Sequence, residues 1–183
     1  MRPVDRVVII HGYGVTPEKM WFPWLHAELE KTGIAVTIPA LPDPFRPNYK
    51  KWMDAVAPLA KTWTPDTLLV AHSLGTAFSI RLLETKVAVR LRAVVLVSPL
   101  FASTINVKPL VKFFARPIDW MAVRDHAREF TVIHAQDDPL VPFDHSLRYA
   151  EALGAKAVVR QTGGHFTQKK FPLLMRTIKP YLE

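Results

Sequence analysis

The sequence places a serine between a short apolar run and a helical pattern. Ser73 is the third residue of Ala-His-Ser-Leu-Gly at 71–75, and residues 68–71, Leu-Leu-Val-Ala, are all apolar. A serine at a strand-to-helix turn is held in a strained conformation with its hydroxyl exposed, and small residues two positions away on each side let strand and helix pass closely. The segment therefore predicts a nucleophilic serine, with Ala71 standing where such turns usually carry a glycine.

Two later segments could supply the partners that a serine nucleophile needs. A serine requires a general base, and the base requires a group that orients it. Residues 136–142 read Gln-Asp-Asp-Pro-Leu-Val-Pro and residues 163–166 read Gly-Gly-His-Phe, each after a run that predicts a strand. Asp138 and His165 follow Ser73 in the order Ser, Asp, His that is typical of this kind of site. We predict that His165 is the base, Asp138 the orienting acid and Ser73 the nucleophile of an acyl transfer.

These residues can meet only if the elements before them form one parallel sheet. The two most apolar runs, at 68–71 and 93–97, are typical of strands buried on both faces. Alternation of strands with helices indicates an α/β fold of three layers, in which the carboxyl ends of the strands share one edge. The predicted strands are 6–10, 34–38, 68–71, 93–97, 130–135 and 157–160. The predicted helices are 16–33, with a late start or a bend at Pro23 as alternatives, 48–63 with an interruption near Pro58, 74–86, 143–153 and 170–182. Another is predicted around 107–115 in the irregular segment 98–128.

Length and composition indicate one globular domain over residues 1–183. The chain is 49% apolar and 22% charged, which excludes disorder, and no run approaches the roughly 18 apolar residues of a membrane span. The absence of cysteine excludes disulfides, thiolate catalysis and cysteine-based zinc sites. The first residues lack the apolar stretch and cleavage site of a secretory signal, so we expect a cytoplasmic protein.

The chain is basic, with 24 Lys and Arg against 16 Asp and Glu and a formal net charge of +8. An acidic partner such as nucleic acid is one interpretation of such a charge. The basic residues are spread along the chain, however, and the tightest pairs are only Lys50-Lys51 and Lys169-Lys170. We therefore do not expect nucleic acid as a primary partner, whereas a protein partner stays open.

Six short segments carry a further signal over nearly the whole chain. They are Trp-Phe-Pro-Trp at 21–24, Pro-Asp-Pro at 42–44, His-Ser-Leu-Gly at 72–75, Arg-Pro-Ile-Asp-Trp at 116–120, Asp-Asp-Pro at 137–139 and Gly-His-Phe at 164–166. In this order they resemble the α/β hydrolases and, within that superfamily, the small serine hydrolases related to retinoblastoma-binding protein nine and to the bacterial YdeN proteins. The resemblance implies an α/β-hydrolase fold with a mostly parallel six-stranded sheet in the order 2-1-3-4-5-6, helices on both faces and no cap domain.

The resemblance also assigns roles to single residues. Carried over by position, the family's nucleophile, acid and base fall on Ser73, Asp138 and His165. Two neighbouring acids compete for the second role. Asp138 occupies the first position of a D-x-x-V-P turn, which is the position of the acid, and Asp137 stays open as the alternative.

The oxyanion hole of such a site needs two backbone N–H donors. We expect the first from Leu74, directly after the nucleophile, and the second from Tyr13, in the loop after the first strand. This loop departs from the family, because it reads His-Gly-Tyr-Gly at 11–14 where close relatives often carry Pro-Gly. Chemistry of this kind requires neither a cofactor nor a metal.

The resemblance implies hydrolysis of a small-molecule carboxylic ester, or of an amide, through an acyl-enzyme on Ser73. Only the segment 98–128 could cover the site, which favours an open pocket and a small-acyl carboxylesterase. Two alternatives stay open: a protein-binding module on a hydrolase scaffold, and an acyltransferase or perhydrolase in which another nucleophile replaces water. Core packing is the competing interpretation for each aromatic residue that we expect to line the pocket, namely Trp21, Trp24, Phe101, Trp120 and Phe166.

Overall fold

Strands and helices alternate along the chain, as the sequence predicts. The structure is a computed structural model that describes residues 3–103 and 108–183. The strands are β1 (Arg6–Ile10), β2 (Ala35–Thr37), β3 (Thr67–His72), β4 (Ala93–Val97), β5 (Phe130–Ala135) and β6 (Lys156–Arg160). The helices are α1 (Phe22–Glu30), α2 (Tyr49–Ala60), α3 (Leu74–Thr85), α4 (Lys108–Val111), α5 (Trp120–Asp125), α6 (Asp144–Leu153) and α7 (Pro172–Leu182). Within these two ranges, none of the helices has the length and apolar character needed to cross a membrane.

The six strands form one sheet in the order β2-β1-β3-β4-β5-β6. This confirms the predicted order, and every neighbouring pair is parallel, so the sheet is parallel throughout rather than mostly parallel. The central strands β3 and β4 are buried at every residue, as their largely apolar sequences require. The strand order reverses between β1 and β3, and ligands of open α/β sheets bind beyond the carboxyl ends of the strands at such a point.

Helices cover both faces of the sheet, because side chains alternate across each strand. Leu69 and Ala71 of β3 face one core, which also contains apolar side chains of α2 and α3. Leu68 and Val70 face the other core, which contains those of α1 and α7. Full burial of each large apolar side chain stabilises the fold by roughly 1.5–3 kcal/mol. The predicted three-layer architecture is therefore confirmed.

Two predicted helices differ from the observed ones at their ends. The first begins at Phe22 rather than at Thr16, because Pro23 is tolerated only in the first turn of a helix. The second begins after Asn48, whose side chain caps the first turn, as expected. It continues through Pro58 to residue 60 instead of being interrupted there.

The segment between β4 and β5 contains α4 and α5 in its described part, where the sequence predicts one helix around 107–115. Residue 107 lies outside the described residues, and α4 ends at Val111. The sequence analysis missed α5, which is only six residues long. Its N-cap is Asp119, whose Oδ1 accepts the N–H of Ala122 at 3.0 Å, and this cap is the one local signal that indicates the helix.

Candidate functional site

Ser73 occupies the sharp turn between β3 and α3. β3 ends at His72 and α3 begins at Leu74, and Ser73 itself has φ 54° and ψ −126°. A non-glycine residue held in a sparsely populated region of this kind costs of the order of 1–3 kcal/mol. Hydrogen bonds around the turn offset that cost. The Ser73 N–H donates to the Val97 carbonyl at 3.0 Å, and the Thr76 hydroxyl donates to the Ser73 carbonyl at 2.6 Å.

The helix after this turn begins against the end of β1. A Cβ on Gly75 would lie 2.5 Å from the His11 carbonyl oxygen and 2.6 Å from that of Ile10. Such close approach leaves no room for a side chain, so position 75 requires glycine. Ala71, by contrast, is fully buried with its methyl group in place. The packing brings the loop after β1 beside Ser73.

Asp138 and His165 meet at the carboxyl edge of the sheet. His165 Nδ1 donates to Asp138 Oδ2 at 2.8 Å, and both side chains are buried. Asp138 Oδ1 accepts the N–H groups of Leu140 and Val141 at 2.9 and 3.0 Å. These two backbone donors fix the carboxylate in the turn after β5, so that its second oxygen faces the imidazole.

Asp137, the alternative acid, takes a different position. Its Oδ1 accepts the N–H of Gly164 at 2.8 Å, and its side chain is exposed. The residue therefore ties the turn after β5 to the loop that carries His165. The carboxylate that contacts the imidazole belongs to Asp138.

The surroundings of Asp138 keep its carboxyl group ionised. Burial on its own would raise the pKa, but hydrogen bonds from the His134 and His165 side chains outweigh it, together with the N–H of Leu140. The pKa of Asp138 therefore lies well below its ordinary value. Because an ionised carboxylate can only accept, this hydrogen bond places a proton on His165 Nδ1.

His72 supports the backbone of the loop that carries His165. Its Nε2 lies 2.9 Å from the His165 carbonyl oxygen, and the two ring centroids are 4.8 Å apart. Burial, and secondly the neighbouring His165, lowers the pKa of His72 to about 3. The ring is therefore neutral and donates through Nε2, which fixes the position of the loop without adding a charge.

Ser73 and His165 line the same cavity, which has a volume of about 400 Å³. Within the described residues no hydrogen bond joins the Ser73 hydroxyl to the His165 ring. Such bonds are often long in an enzyme without substrate and shorten when the substrate binds. In its described part the wall carries no Asp, Glu, Lys or Arg side chain. The aliphatic residues that line it are Val15, Met20, Leu74, Leu100, Leu110, Leu140 and Val141.

The two residues predicted to supply oxyanion donors also line this cavity. Leu74 is the first residue of α3, where backbone N–H groups have no partner within the helix. The peptide before Tyr13 is oriented by His11, whose Nδ1 donates to the Gly12 carbonyl at 3.1 Å. His11 Nε2 accepts the Leu41 N–H at 3.1 Å, and this bond fixes the tautomer. Because the C=O and N–H of a trans peptide point in opposite directions, the Tyr13 N–H is turned away from the His11 ring.

The five aromatic residues predicted to line the pocket lie elsewhere. Trp21 and Phe166 are buried in the core beneath α1, where the Trp21 indole donates to the Phe166 carbonyl at 2.9 Å. Trp24 is partly buried against the same core. Phe101 stacks on Trp120 against the opposite core, with ring centroids 5.4 Å apart. Each ring packs against core neighbours, and none of the five is among the residues that line the cavity.

His134 is a contact of the site that sequence reasoning did not identify. It lies within β5, and its Nε2 is 3.1 Å from Asp138 Oδ2, the oxygen that also accepts from His165. A histidine in a mostly apolar strand is usually interpreted as a core residue. Its position four residues before Asp138 is the one signal in the sequence that could have indicated the contact.

The strand order, together with a serine at the turn after β3 and an Asp–His pair beyond β5 and β6, defines the class of protein. The chain has the α/β-hydrolase fold. Its structure matches the crystal structure of the ydeN gene product from Bacillus subtilis with a TM-score of 0.92 and 31% sequence identity. The match covers 97% of this chain and 98% of that one.

Sequence comparison gives the family. The profile of the serine hydrolase family matches residues 7–171. YdeN of Bacillus subtilis (strain 168) is 34% identical over 164 residues, which are 89% of this chain and 86% of YdeN. The serine hydrolase RBBP9 of Rattus norvegicus is 25% identical over 186 residues, covering 98% of this chain and 96% of RBBP9. The chain therefore belongs to the serine hydrolase family, and the resemblance predicted from the six sequence segments is confirmed.

Proposed function

We propose that the protein is a carboxylesterase that cleaves small, uncharged acyl esters through an acyl-enzyme on Ser73. The observation that carries the proposal is the 2.8 Å hydrogen bond between Asp138 and His165, beside the strained turn at Ser73. Membership of the serine hydrolase family supports it. An amide bond would be cleaved by the same groups.

Acylation begins when the Ser73 oxygen attacks the carbonyl carbon of the ester. His165 Nε2 takes the proton of the hydroxyl, and Asp138 orients the imidazole and stabilises its charged form. The N–H groups of Leu74 and Tyr13 donate to the oxyanion that develops on the carbonyl oxygen. The imidazolium then gives its proton to the leaving alcohol as the C–O bond breaks, which leaves the acyl group on Ser73.

Deacylation repeats these steps with water in place of the serine. His165 takes a proton from a water molecule, whose oxygen adds to the acyl carbon. The same backbone donors bind the second oxyanion. When it collapses, the bond to Ser73 breaks, the serine oxygen recovers the proton from His165, and the carboxylic acid leaves.

The cavity beside Ser73 supports a small neutral acyl group. Its volume of about 400 Å³ lies near the lower end of the range for small-molecule sites. The apolar wall favours hydrocarbon, and a charged substrate group would lose hydration there without gaining an ionic partner. The mouth is itself partly apolar, because Leu140 and Tyr13 line the cavity and are exposed.

Labelling with a fluorophosphonate tests the proposal, because this reagent phosphonylates an activated serine. We expect rapid addition of one label per chain, located at Ser73 by peptide mapping, and no label on Ser73→Ala. Ser79→Ala is the matched control, since Ser79 is a buried serine of α3 that does not line the cavity. It should label as the wild type does.

Hydrolysis of p-nitrophenyl acetate is measured on the same three proteins. Ser73→Ala should lose several orders of magnitude in kcat with its fold intact. Folded wild-type protein that neither takes the label nor cleaves the ester would contradict the proposal and favour a binding module. An added alcohol that captures the acyl group more effectively than water would instead indicate an acyltransferase.

A further inference from the structure

His134 is a buried polar side chain that the proposed reaction steps do not use. It alternates with Ile133 and so lies on the face of β5 that presents Phe130 and Val132 to the core. Its side chain is 1% exposed. Its Nδ1 is buried and, among the described residues, has no hydrogen-bond partner. Because a buried ring nitrogen without a partner is unfavourable, core packing alone does not account for a histidine here.

The partners of the ring show which nitrogen carries the proton. Asp138 Oδ2 can only accept, so His134 Nε2 donates to it at 3.1 Å. His165 Nδ1 donates to the same oxygen at 2.8 Å. The other oxygen, Oδ1, is occupied by two backbone N–H groups of the turn. The carboxylate therefore has four donors, and the two imidazoles share one of its oxygens.

We propose that His134 is a positioning residue that shares Asp138 Oδ2 with His165. Because the oxygen is shared, the negative charge of Asp138 stabilises the protonated His165 ring less than it would with His165 as its only imidazole donor. The inference rests on the proposed function, in which His165 is the general base. Two donors on one oxygen draw on the same negative charge. Removal of His134 as a donor leaves more of that charge to His165, which favours the protonated imidazole.

Two further histidines interact with this pair in the part of the chain that the structure describes. His72 of β3 lies against the His165 ring, and with a pKa of about 3 it is neutral in the range of enzyme assays. His145 of α6 interacts electrostatically with His134, and the pKa of His145 is lowered by burial and by Arg148. Neither histidine donates to the Asp138 carboxylate within the described residues. The effect of His134 on His165 can therefore be separated from theirs.

Two substitutions at His134 separate the hydrogen bond from the packing. His134→Leu removes the donor at similar volume, whereas the amide of His134→Gln can still reach Asp138. His134→Asn, whose shorter amide does not reach it, replaces the leucine variant if that variant does not fold. His126→Leu is the matched control, because His126 is partly buried, bonds a backbone carbonyl of α5 and does not line the cavity.

The first readout is the acid limb of the kcat/KM profile against pH with p-nitrophenyl acetate, which reports protonation of the free enzyme's base. The second is the titration midpoint of the His165 ring by nitrogen-15 NMR in the Ser73→Ala background, which needs no activity. In His134→Leu we expect both to rise by roughly 0.3–0.7 pH units. His134→Gln and His126→Leu should stay within about 0.2 pH units of the wild type.

The proposal would be overturned if folded His134→Leu kept both the wild-type acid limb of the kcat/KM profile and the wild-type titration midpoint of His165. An equal rise of these two values in His126→Leu would also overturn it. A loss of kcat with neither value moved would mean that His134 is only structural. If the wild type is not labelled by the fluorophosphonate and cleaves no ester, the proposed function fails. In that case the NMR midpoint still decides whether His134 acts on His165.

Discussion

Gly12 lies so close to Ser73 that a methyl group on the glycine would sit 2.9 Å from Ser73 Cβ. The same methyl group would be 3.0 Å from the His72 carbonyl oxygen and 3.3 Å from the Leu74 nitrogen. The loop after β1 is therefore in direct contact with the turn that carries the serine. Because glycine has no side chain, position 12 allows this close approach, and the approach sets the distance between Ser73 and the proposed donor on Tyr13.

Gly12→Ala tests this dependence. Gly12 does not have a positive φ, so alanine adds no backbone strain, but its Cβ must push the loop away from the turn. We expect kcat for p-nitrophenyl acetate to fall by about 100-fold or more, the effect of losing one oxyanion donor, with little change in KM. Gly33→Ala is the control, because φ is 78° there and the variant should lose stability without losing kcat. Equal kcat values for Gly12→Ala and wild type would show that the loop does not place a donor.

The sheet could be predicted from the sequence because its signals are local. The strands at 93–97 and 130–135 have the observed bounds, since each is a run of mostly apolar or β-branched residues between polar residues. The meeting of Asp138 with His165 also followed from local signals, because parallel strands bring their carboxyl ends to one edge. Ser73 directly follows β3, whereas Asp138 and His165 lie three and five residues after the ends of β5 and β6.

The pocket wall could not be predicted, because it depends on which neighbours each side chain meets. Trp21 directly precedes α1, yet its indole donates to the Phe166 carbonyl and fills the core. Phe101 follows β4 but stacks on Trp120, which lies in a helix that the sequence did not predict. His134 faces Asp138 only because a strand ends and a turn begins between them. None of these relationships is encoded in periodicity or composition.

The cavity predicts a dependence of rate on acyl length. In a series of p-nitrophenyl esters from acetate to octanoate, kcat/KM should rise by about fourfold for each methylene that enters the apolar cavity, then fall when the cavity is full. A kcat/KM that still rises up to octanoate would contradict the proposed small acyl group. The half-ester of succinic acid should be a poor substrate, because the described wall offers no cation.

Leu140→Lys places a charge at the mouth of the cavity, which Leu140 lines with a relative exposure of 59%. We expect kcat/KM for the butyrate ester to fall by about tenfold, the effect of one or two desolvated methylenes, while that for the acetate ester changes less. Leu147→Lys is matched in exposure, at 50%, but Leu147 does not line the cavity. The same loss in both variants would show that the charge acts at a distance and not in the cavity.

Arg81 of α3 forms hydrogen bonds with the segment that precedes α5. It is buried, its guanidinium donates to the carbonyls of Arg116 and Pro117, and it pairs with Glu84 at 3.1 Å. Arg81→Leu leaves these acceptors without their donor, and we expect the free energy of unfolding to fall by about 3–5 kcal/mol. Urea denaturation measures it, with Arg124→Leu, at an exposed position of α5, expected within about 0.5 kcal/mol of the wild type. Equal values for the two variants would mean that the buried pair contributes no stability.

The stability of the fold should depend on the charge of Asp138. Its pKa is lowered in the folded state, so the folded protein binds a proton at this group less readily than the unfolded chain does. A group of this kind contributes stability at pH values above its unfolded pKa of about 3.9, and the contribution is lost as the pH falls below that value. For a buried, hydrogen-bonded aspartate the contribution is roughly 1–3 kcal/mol.

Asp138→Asn removes this dependence, because the amide does not titrate. At pH 7 the variant should be less stable than the wild type by the full contribution, and the difference should shrink as the pH is lowered from 5 to 3. Val141→Ala is the control: it shortens a buried side chain of the same turn but keeps the carboxylate, so its difference from the wild type should stay constant over this range. Urea midpoints at several pH values measure both. A difference between Asp138→Asn and wild type that does not change with pH would mean that the carboxylate is not held in its charged form by His134 and His165.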